Sequence, residues 1–144
     1  MSAVKSYGMK TSKSFVGFLL LFTSIAFVRC TPDQDFSRTT KDILSQGTWS
    51  VDYYFAGQDK TAQYNSYQFS FVGNGMVSGT NGSNQFQGNW ALIKDVNGND
   101  VIHINLQTQE PFLLELNELW KVADKSPDII AMNGDATQLR LRKL

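Results

Sequence analysis

The chain holds one cysteine and one histidine among 144 residues. A lone thiol excludes any disulfide within the chain, and a protein-built zinc or iron–sulfur centre, which takes three or four nitrogen or sulfur ligands, has no ligand set here. A Ser–His–acid triad would have to use His103, and the sequence has no Gly-x-Ser-x-Gly turn to offer it a nucleophile. Glu115 and Glu118 are the closest pair of glutamates. Three residues apart on a short helix they point the same way, whereas glycoside hydrolysis needs carboxyls on opposite sides of a sugar, so they read as a solvated helix face. Basic runs are also lacking. All 13 acidic residues follow Cys30, while Lys5, Lys10, Lys13 and Arg29 precede it, so the body is mildly acidic although the formal net charge is 0. Such a body does not neutralise phosphates, and nucleic acid is excluded as a partner. The expectation is a non-enzymatic chain with no cofactor and no metal.

Long apolar runs are scarce too. The longest, Phe15 to Val28, would make a helix of roughly 21 Å, short of the roughly 30 Å hydrocarbon core of a bilayer. Behind a basic, acid-free start it reads as an export signal over residues 1–30. Met9-Lys10-Thr11-Ser12-Lys13 is itself a normal signal start, so Met9 is the expected initiator. The run ends in Ile25-Ala26-Phe27-Val28-Arg29-Cys30, which resembles a bacterial lipoprotein lipobox, with Arg29 where that pattern has a small residue. The resemblance implies acylation of Cys30, a membrane contact through the lipid, and a place in the cell envelope as an outer-membrane lipoprotein, with the periplasmic or surface face left open. A partnerless thiol in an exported chain agrees with acylation, since it would otherwise stay free and oxidisable. Residues 31–40, polar and interrupted by Pro32, read as a tether, and 41–144 as the folded domain.

Within the domain a short helix is expected up to Gln46, with Ser37 as its cap, Ile43 and Leu44 inward and Gly47 as its stop. Strands follow. Trp49, Val51, Tyr53 and Phe55 alternate with polar residues or Tyr54, as do Tyr67, Phe69 and Phe71, then Phe86, Trp90 and Leu92, then Ile102, Ile104 and Leu106, and finally Leu139 and Leu141. This period of two marks strands buried on one face. Four Asn-Gly pairs, at Asn74, Asn81, Asn97 and Asn133, signal hairpins with type I′ turns. The result is an all-β chain of eight strands, near 48–56, 66–72, 75–81, 84–93, 100–107, 118–125, 128–133 and 137–143. A small antiparallel up-and-down barrel removes their edges by closure, although an open meander or a two-sheet sandwich has the same strand count. Pro111 to Asn117 interrupts the series and reads as a short helix or turn over one barrel mouth.

These residues resemble the calycin group, and within it the small lipocalin-like domains of Bacteroidota lipoproteins. Gly47-Thr48-Trp49 stands where lipocalins carry Gly-x-Trp; Tyr67-x-Phe69-x-Phe71, Gly88-x-Trp90, Leu116-x-x-x-Trp120-x-Val122 and Leu139-x-Leu141-x-Lys143 follow in family order. The resemblance implies that Trp49 plugs the closed end and that a basic residue of the last strand, Arg140 or Arg142, lies across it. The Thr-Asp-Tyr motif of larger lipocalins is absent.

Two functions remain open at this level. Inward aromatic side chains either line a cavity for a small apolar or amphipathic ligand or fill the interior of a cell-envelope structural or interaction module. Tyr53, Tyr67, Trp90 and Trp120 are the candidate lining, because their polar tips need a partner that a ligand or water would supply. Asp95-Val96-Asn97-Gly98-Asn99-Asp100 has calcium-like oxygen spacing but Leu106 where a bidentate Glu would close the loop, and reads as a turn. His103 reads as an exposed strand residue. Lys121, Lys125, Arg140, Arg142 and Lys143 read as a scattered solvated surface.

Overall fold

The computed structural model describes residues 38–144, where the alternating pattern becomes eight antiparallel strands. They are β1 Trp49–Ala56, β2 Gln68–Phe71, β3 Met76–Thr80, β4 Gln85–Lys94, β5 Asp100–Gln107, β6 Leu119–Lys125, β7 Ile129–Asn133 and β8 Thr137–Lys143. Each pairs with the next and β8 returns to β1, so the sheet is a closed barrel and the meander and sandwich are excluded. Closure removes the unpaired edges that an eight-stranded ribbon would otherwise expose. The signal segment, Cys30, Ser37 and the tether as far as residue 37 lie outside the described residues.

Alternation fails inside β1, and again in β6, where Ala123 is extra between Val122 opposite Met132 and Asp124 opposite Ala131. In β1 Val51 opposes Leu141 and Tyr53 opposes Arg140, so Asp52 is an extra residue in the ladder. A bulge of this kind puts two successive side chains on one face and shifts the remainder of the strand by one position. Trp49 and Val51 are buried before it and Tyr54 after it. Tyr53 and Phe55, expected inward from the period of two, therefore stand on the outer wall. On that wall the Asp52 carboxylate accepts from Arg140 Nε at 2.6 Å and Arg142 Nε at 2.9 Å.

Both ends are covered. At the end where the chain enters, α1 (Thr40–Leu44) buries Ile43 and Leu44, and Trp49 Nε1 donates to the Leu44 carbonyl at 2.9 Å. The helix is capped at Thr39, not Ser37: Thr39 Oγ1 accepts from the Asp42 amide at 3.1 Å and the Asp42 carboxylate accepts from the Thr39 amide at 3.2 Å, a reciprocal capping box. Thr40, read from sequence as the last tether residue, is fully buried, donates to the Asp100 carboxylate of β5 and accepts from Lys125 Nζ of β6 at 2.9 Å. At the opposite mouth, a 3₁₀ turn at Thr61–Tyr64 and α2 (Pro111–Leu114) fold inward with Tyr64, Leu113 and Leu116 buried. Pro111 to Asn117 thus lies where the sequence placed it.

The four Asn-Gly pairs all sit in hairpin connections, but none forms the centre of a type I′ turn. Gly75 and Gly98 donate back to Val72 and Asp95, so each glycine takes the position after the two central residues, with φ of 91° and 81°. Gly82 and Ser83 make the two-residue loop between β3 and β4, and Gly134 precedes the Asp135-Ala136 loop by pairing with Thr137. The left-handed conformation that glycine favours is needed just after the first two turns and at the first loop position for Gly82, where φ is 88°.

Candidate functional site

A ligand site in a barrel needs unclaimed polar atoms and unfilled volume, and the buried rings show what becomes of both. Trp90 Nε1 donates to the Val72 carbonyl at 2.9 Å, and the Trp90 amide to the Gly75 carbonyl at 2.8 Å, so this tryptophan staples the β2–β3 turn. Trp120 Nε1 donates to the Leu116 carbonyl at 2.9 Å. Tyr67 Oη accepts from Asn81 Nδ2 at 3.1 Å. Tyr53 is on the outer wall, with the Arg140 guanidinium 5.8 Å from its ring centre. Of the four residues expected to line a cavity, three point inward with their tips bonded to the protein, and Tyr53 is replaced by Tyr54.

Sequence reasoning missed Tyr54 and Tyr64. Tyr54 Oη donates to the Glu115 carbonyl at 3.4 Å and Tyr64 Oη to the Phe112 carbonyl at 2.7 Å. Burial, with the charge of Glu115, pushes the Tyr54 hydroxyl up to about 12. Burial raises Tyr64 as well. The Tyr54 ring meets Tyr64 at 5.1 Å and Trp120 at 6.3 Å; Phe112 lies 5.5 Å from both Tyr64 and Tyr67; Phe86 lies 6.0 Å from Tyr67 and 5.7 Å from Phe69. These contacts form one chain of seven rings, nearly all edge to face, the arrangement the ring quadrupole favours. Gly79 is part of the same packing, since the Phe86 ring occupies the place where a β-carbon would sit.

The mouth above this chain is clasped. Lys60, just before the 3₁₀ turn, reaches Glu115 Oε2 at 2.8 Å, and the Tyr64–Phe112 bond joins the same two connections. Glu118 turns elsewhere, accepting from Thr137 Oγ1 at 2.6 Å and the Asp135 amide at 3.0 Å. The two glutamates therefore do not share one solvated helix face: α2 ends before both, and each braces a different connection.

Shallow recesses remain on the outside, and two of them share lining residues. One, of about 490 Å³, opens beside the mouth between the β3–β4 loop and the start of α2, with Tyr67, Phe86 and Leu113 in its lining and Asn84, Gln107 and Glu110 around it. The other, of about 380 Å³, lies on the outer wall of β2–β4 and shares Gln85 and Phe86 with the first.

Asp95, Lys121 and Lys125 are occupied structurally. Bonds from the Asn99 side chain and backbone, with further help from Asn97 and Lys121, hold Asp95 well below the usual carboxylate range and tie up the loop with calcium-like spacing. Lys121 pairs with Asp95 at 3.2 Å and Lys125 with Asp100 at 3.6 Å. His103 is exposed on β5, opposite Ala91 and Leu119. Among the described residues no group of three or more His, Cys, Asp or Glu side chains is placed to hold a metal ion.

Neither basic residue expected across Trp49 takes that position. Arg140 and Arg142 point outward to Asp52, and Lys143 lies over the Trp49 ring. With a plugged end, a closed eight-stranded antiparallel sheet and covered mouths, the architecture is set. The domain has a lipocalin-like fold. A lipocalin-like protein from Bacteroides uniformis ATCC 8492 is similar at 21% identity and a TM-score of 0.52, over 71% of this chain and 99% of that one. A DUF4847 family protein from Bacteroides vulgatus ATCC 8482 is similar at 15% identity and a TM-score of 0.53, over 72% and 96%. An uncharacterized protein from Bacteroides eggerthii DSM 20697 matches at 18% identity and a TM-score of 0.52, over 69% and 99%. At these identities the likeness carries the lipocalin-like fold. No family model and no curated protein matches the sequence.

Proposed function

We propose that the chain is an exported, lipid-anchored interaction module of the cell envelope, whose barrel is a filled scaffold and whose partner is met from outside it. One observation carries this reading: the seven-ring chain packs the interior, and the hydroxyls and indole N–H groups that a ligand would have to satisfy are bonded to the protein. Burial of those rings stabilises the barrel by about 25 cal/mol per Å² of apolar surface, and an apolar guest would have to displace them. The reading assigns the chain no catalysis. Its anchor is the lipid on Cys30, at the outer membrane, with the tether setting the domain off from the bilayer.

Native mass spectrometry of the full chain purified from cell extract tests the scaffold reading: the expected mass is that of the acylated polypeptide alone, and a retained small molecule overturns it. Labelled palmitate incorporation tests the anchor: Cys30→Ala is expected to lose the label, and equal labelling rules out acylation there.

A small amphipathic ligand is the second reading, favoured by the mouth recess with Tyr67, Phe86 and Leu113 in its lining. It would sit at the rim, above the ring chain.

A further inference from the structure

The large apolar side chains that the barrel leaves in water gather at one end. Val72 and Met76 flank the β2–β3 turn, Ile93 lies near the end of β4, and Val96 stands in the β4–β5 turn. Val72, Met76 and Ile93 are nearly half exposed and Val96 is fully so. Leu144, after β8, is at this end too. Among the described residues the other exposed large apolar side chains are Leu114 at the mouth and Leu119 on the wall. The shared end is the plugged one, and it is also where the chain enters the barrel. The described residues begin there with Arg38, ahead of α1. Residues 31–38, stretched out, span at most about 29 Å, so Cys30 is never far from this end.

The β4–β5 hairpin presents Val96 on a braced tip. β3 follows β4 only to Asn89, opposite Met76, whereas β4 and β5 stay paired as far as Lys94 and Asp100. In the turn beyond, Asp95 Oδ1 accepts from the Asn97 and Asn99 amides at 2.9 and 2.8 Å, and the Asp95 carbonyl from the Gly98 amide at 2.9 Å. These groups are met within the turn, which lowers the cost of taking it out of water. The hairpin's charges are paired as well: Lys121 meets Asp95, and Lys94 and Lys125 meet Asp100.

We infer that the plugged end rests on the surface of the lipid bilayer that holds the anchor, with Ile93 and Val96 in its interfacial layer. Side chains enter that layer in proportion to the apolar area they take out of water. A few such residues hold a free domain weakly. A lipid on Cys30 changes this, because a domain kept within the tether's length meets the bilayer at high effective concentration. The tether lets the domain stand off or settle, and the apolar end favours settling. With that end down, the clasped mouth and its recess face away from the bilayer, toward a partner.

The inference rests on the lipid anchor proposed for Cys30, and its test keeps that anchor. Chain purified with its lipid, confirmed by mass, is reconstituted on a supported phosphatidylcholine bilayer for neutron reflectometry. The expected protein layer begins at the headgroups, and does so in high salt as well, since the contact is apolar. The Ile93→Asp/Val96→Asp variant is expected to stand off behind a layer of water. In phosphatidylcholine vesicles, the fluorophore NBD on Val96→Cys, where acylated Cys30 leaves no competing thiol, is expected to emit further to the blue than NBD on Leu114→Cys and to lose emission to nitroxide-bearing lipid. Water beneath the parent, a double variant that stays at the headgroups, equal emission from the two positions, or no quenching by the nitroxide lipid each overturns the inference. So does a blue shift that appears only at high protein density, the mark of a second copy on this end. An acylated chain that fails these tests keeps its anchor and loses the contact, whereas a chain with no lipid on Cys30 loses both.

Discussion

The Lys143 ammonium lies 5.2 Å from the centre of the Trp49 ring, and its alkyl stem passes within 3.4 Å of where a β-carbon on Gly47 would stand. The first and last strands therefore lock at the plugged end through a lysine, whose stem packs and whose charge faces the ring. Lys143→Met keeps the stem and removes the charge, with an expected loss of about 0.5–1 kcal/mol. Trp49→Ala is expected to lose about 3–5 kcal/mol, the range for truncating a large buried aromatic side chain. Urea unfolding followed by circular dichroism measures both, and a Lys143→Met variant as damaged as Trp49→Ala would show that the stem is not what packs.

The clasp over the opposite mouth has separable parts. Tyr64→Phe removes the bond to the Phe112 carbonyl but keeps the ring, with an expected cost of about 1 kcal/mol. Lys60→Met breaks the ion pair with Glu115; with side chains 21% and 35% exposed, it is expected to cost less than about 1 kcal/mol, and less again in high salt. Amide exchange should localise the change. Faster exchange confined to residues 61–64 and 111–116 is expected in both variants, and a uniform increase around the barrel would mean that the two connections do not act as a lid.

The interior tyrosines make a prediction at the alkaline end. Tyr54 is pushed up to about 12 from an ordinary value of 10.0, first by burial and then by the charge of Glu115. Between those values the folded chain holds a proton that the unfolded chain has released. Its contribution to stability is complete below pH 10 and disappears as the pH climbs through the folded value. Absorbance at the phenolate band should rise for part of the tyrosine content first and for the rest only as the barrel unfolds. Tyr54→Phe is expected to flatten the alkaline fall in stability, and an identical fall in that variant would assign it to other groups.

Hairpins and strand limits were legible because apolar residues alternate with polar ones and because small, turn-forming residues separate the runs, whereas closure, expected from the cost of open edges, needed the β8–β1 pairing to exclude a meander or a sandwich. Three features were hidden for physical reasons. The bulge at Asp52 reverses every later side chain in β1, and a period of two cannot register an inserted residue whose neighbours, Tyr53, Tyr54 and Phe55, are all aromatic. Tyr64 lies in a 3₁₀ turn, outside any strand pattern, and is buried only because α2 folds over the same mouth. The polar tips of Trp90 and Trp120 are met by the carbonyls of Val72 and Leu116, partners that backbone geometry supplies and residue types do not announce.

Acid should loosen the plugged end first. Asp100 receives the Thr40 hydroxyl and ion pairs from Lys94 at 2.5 Å and Lys125 at 3.6 Å, and thereby ties α1 to β4, β5 and β6. Burial raises its pKa, yet the bonds from Lys94 and Thr40 and the charges of both lysines outweigh it, so the group lies below its ordinary 3.8. A carboxyl depressed in the folded state stabilises above the unfolded value, and that share is lost as the pH drops through the folded one. The loss therefore begins below about pH 4. Asp100→Asn keeps the shape and removes the charge. It is expected to cost about 1.5–3 kcal/mol at neutral pH, the range for a hydrogen-bonded charged group, and to give a shallower acid limb. Thermal midpoints of parent and variant from pH 7 downward measure the difference: the two curves should converge in acid, and a constant gap between them would mean that Asp100 acts through packing and not through its charge.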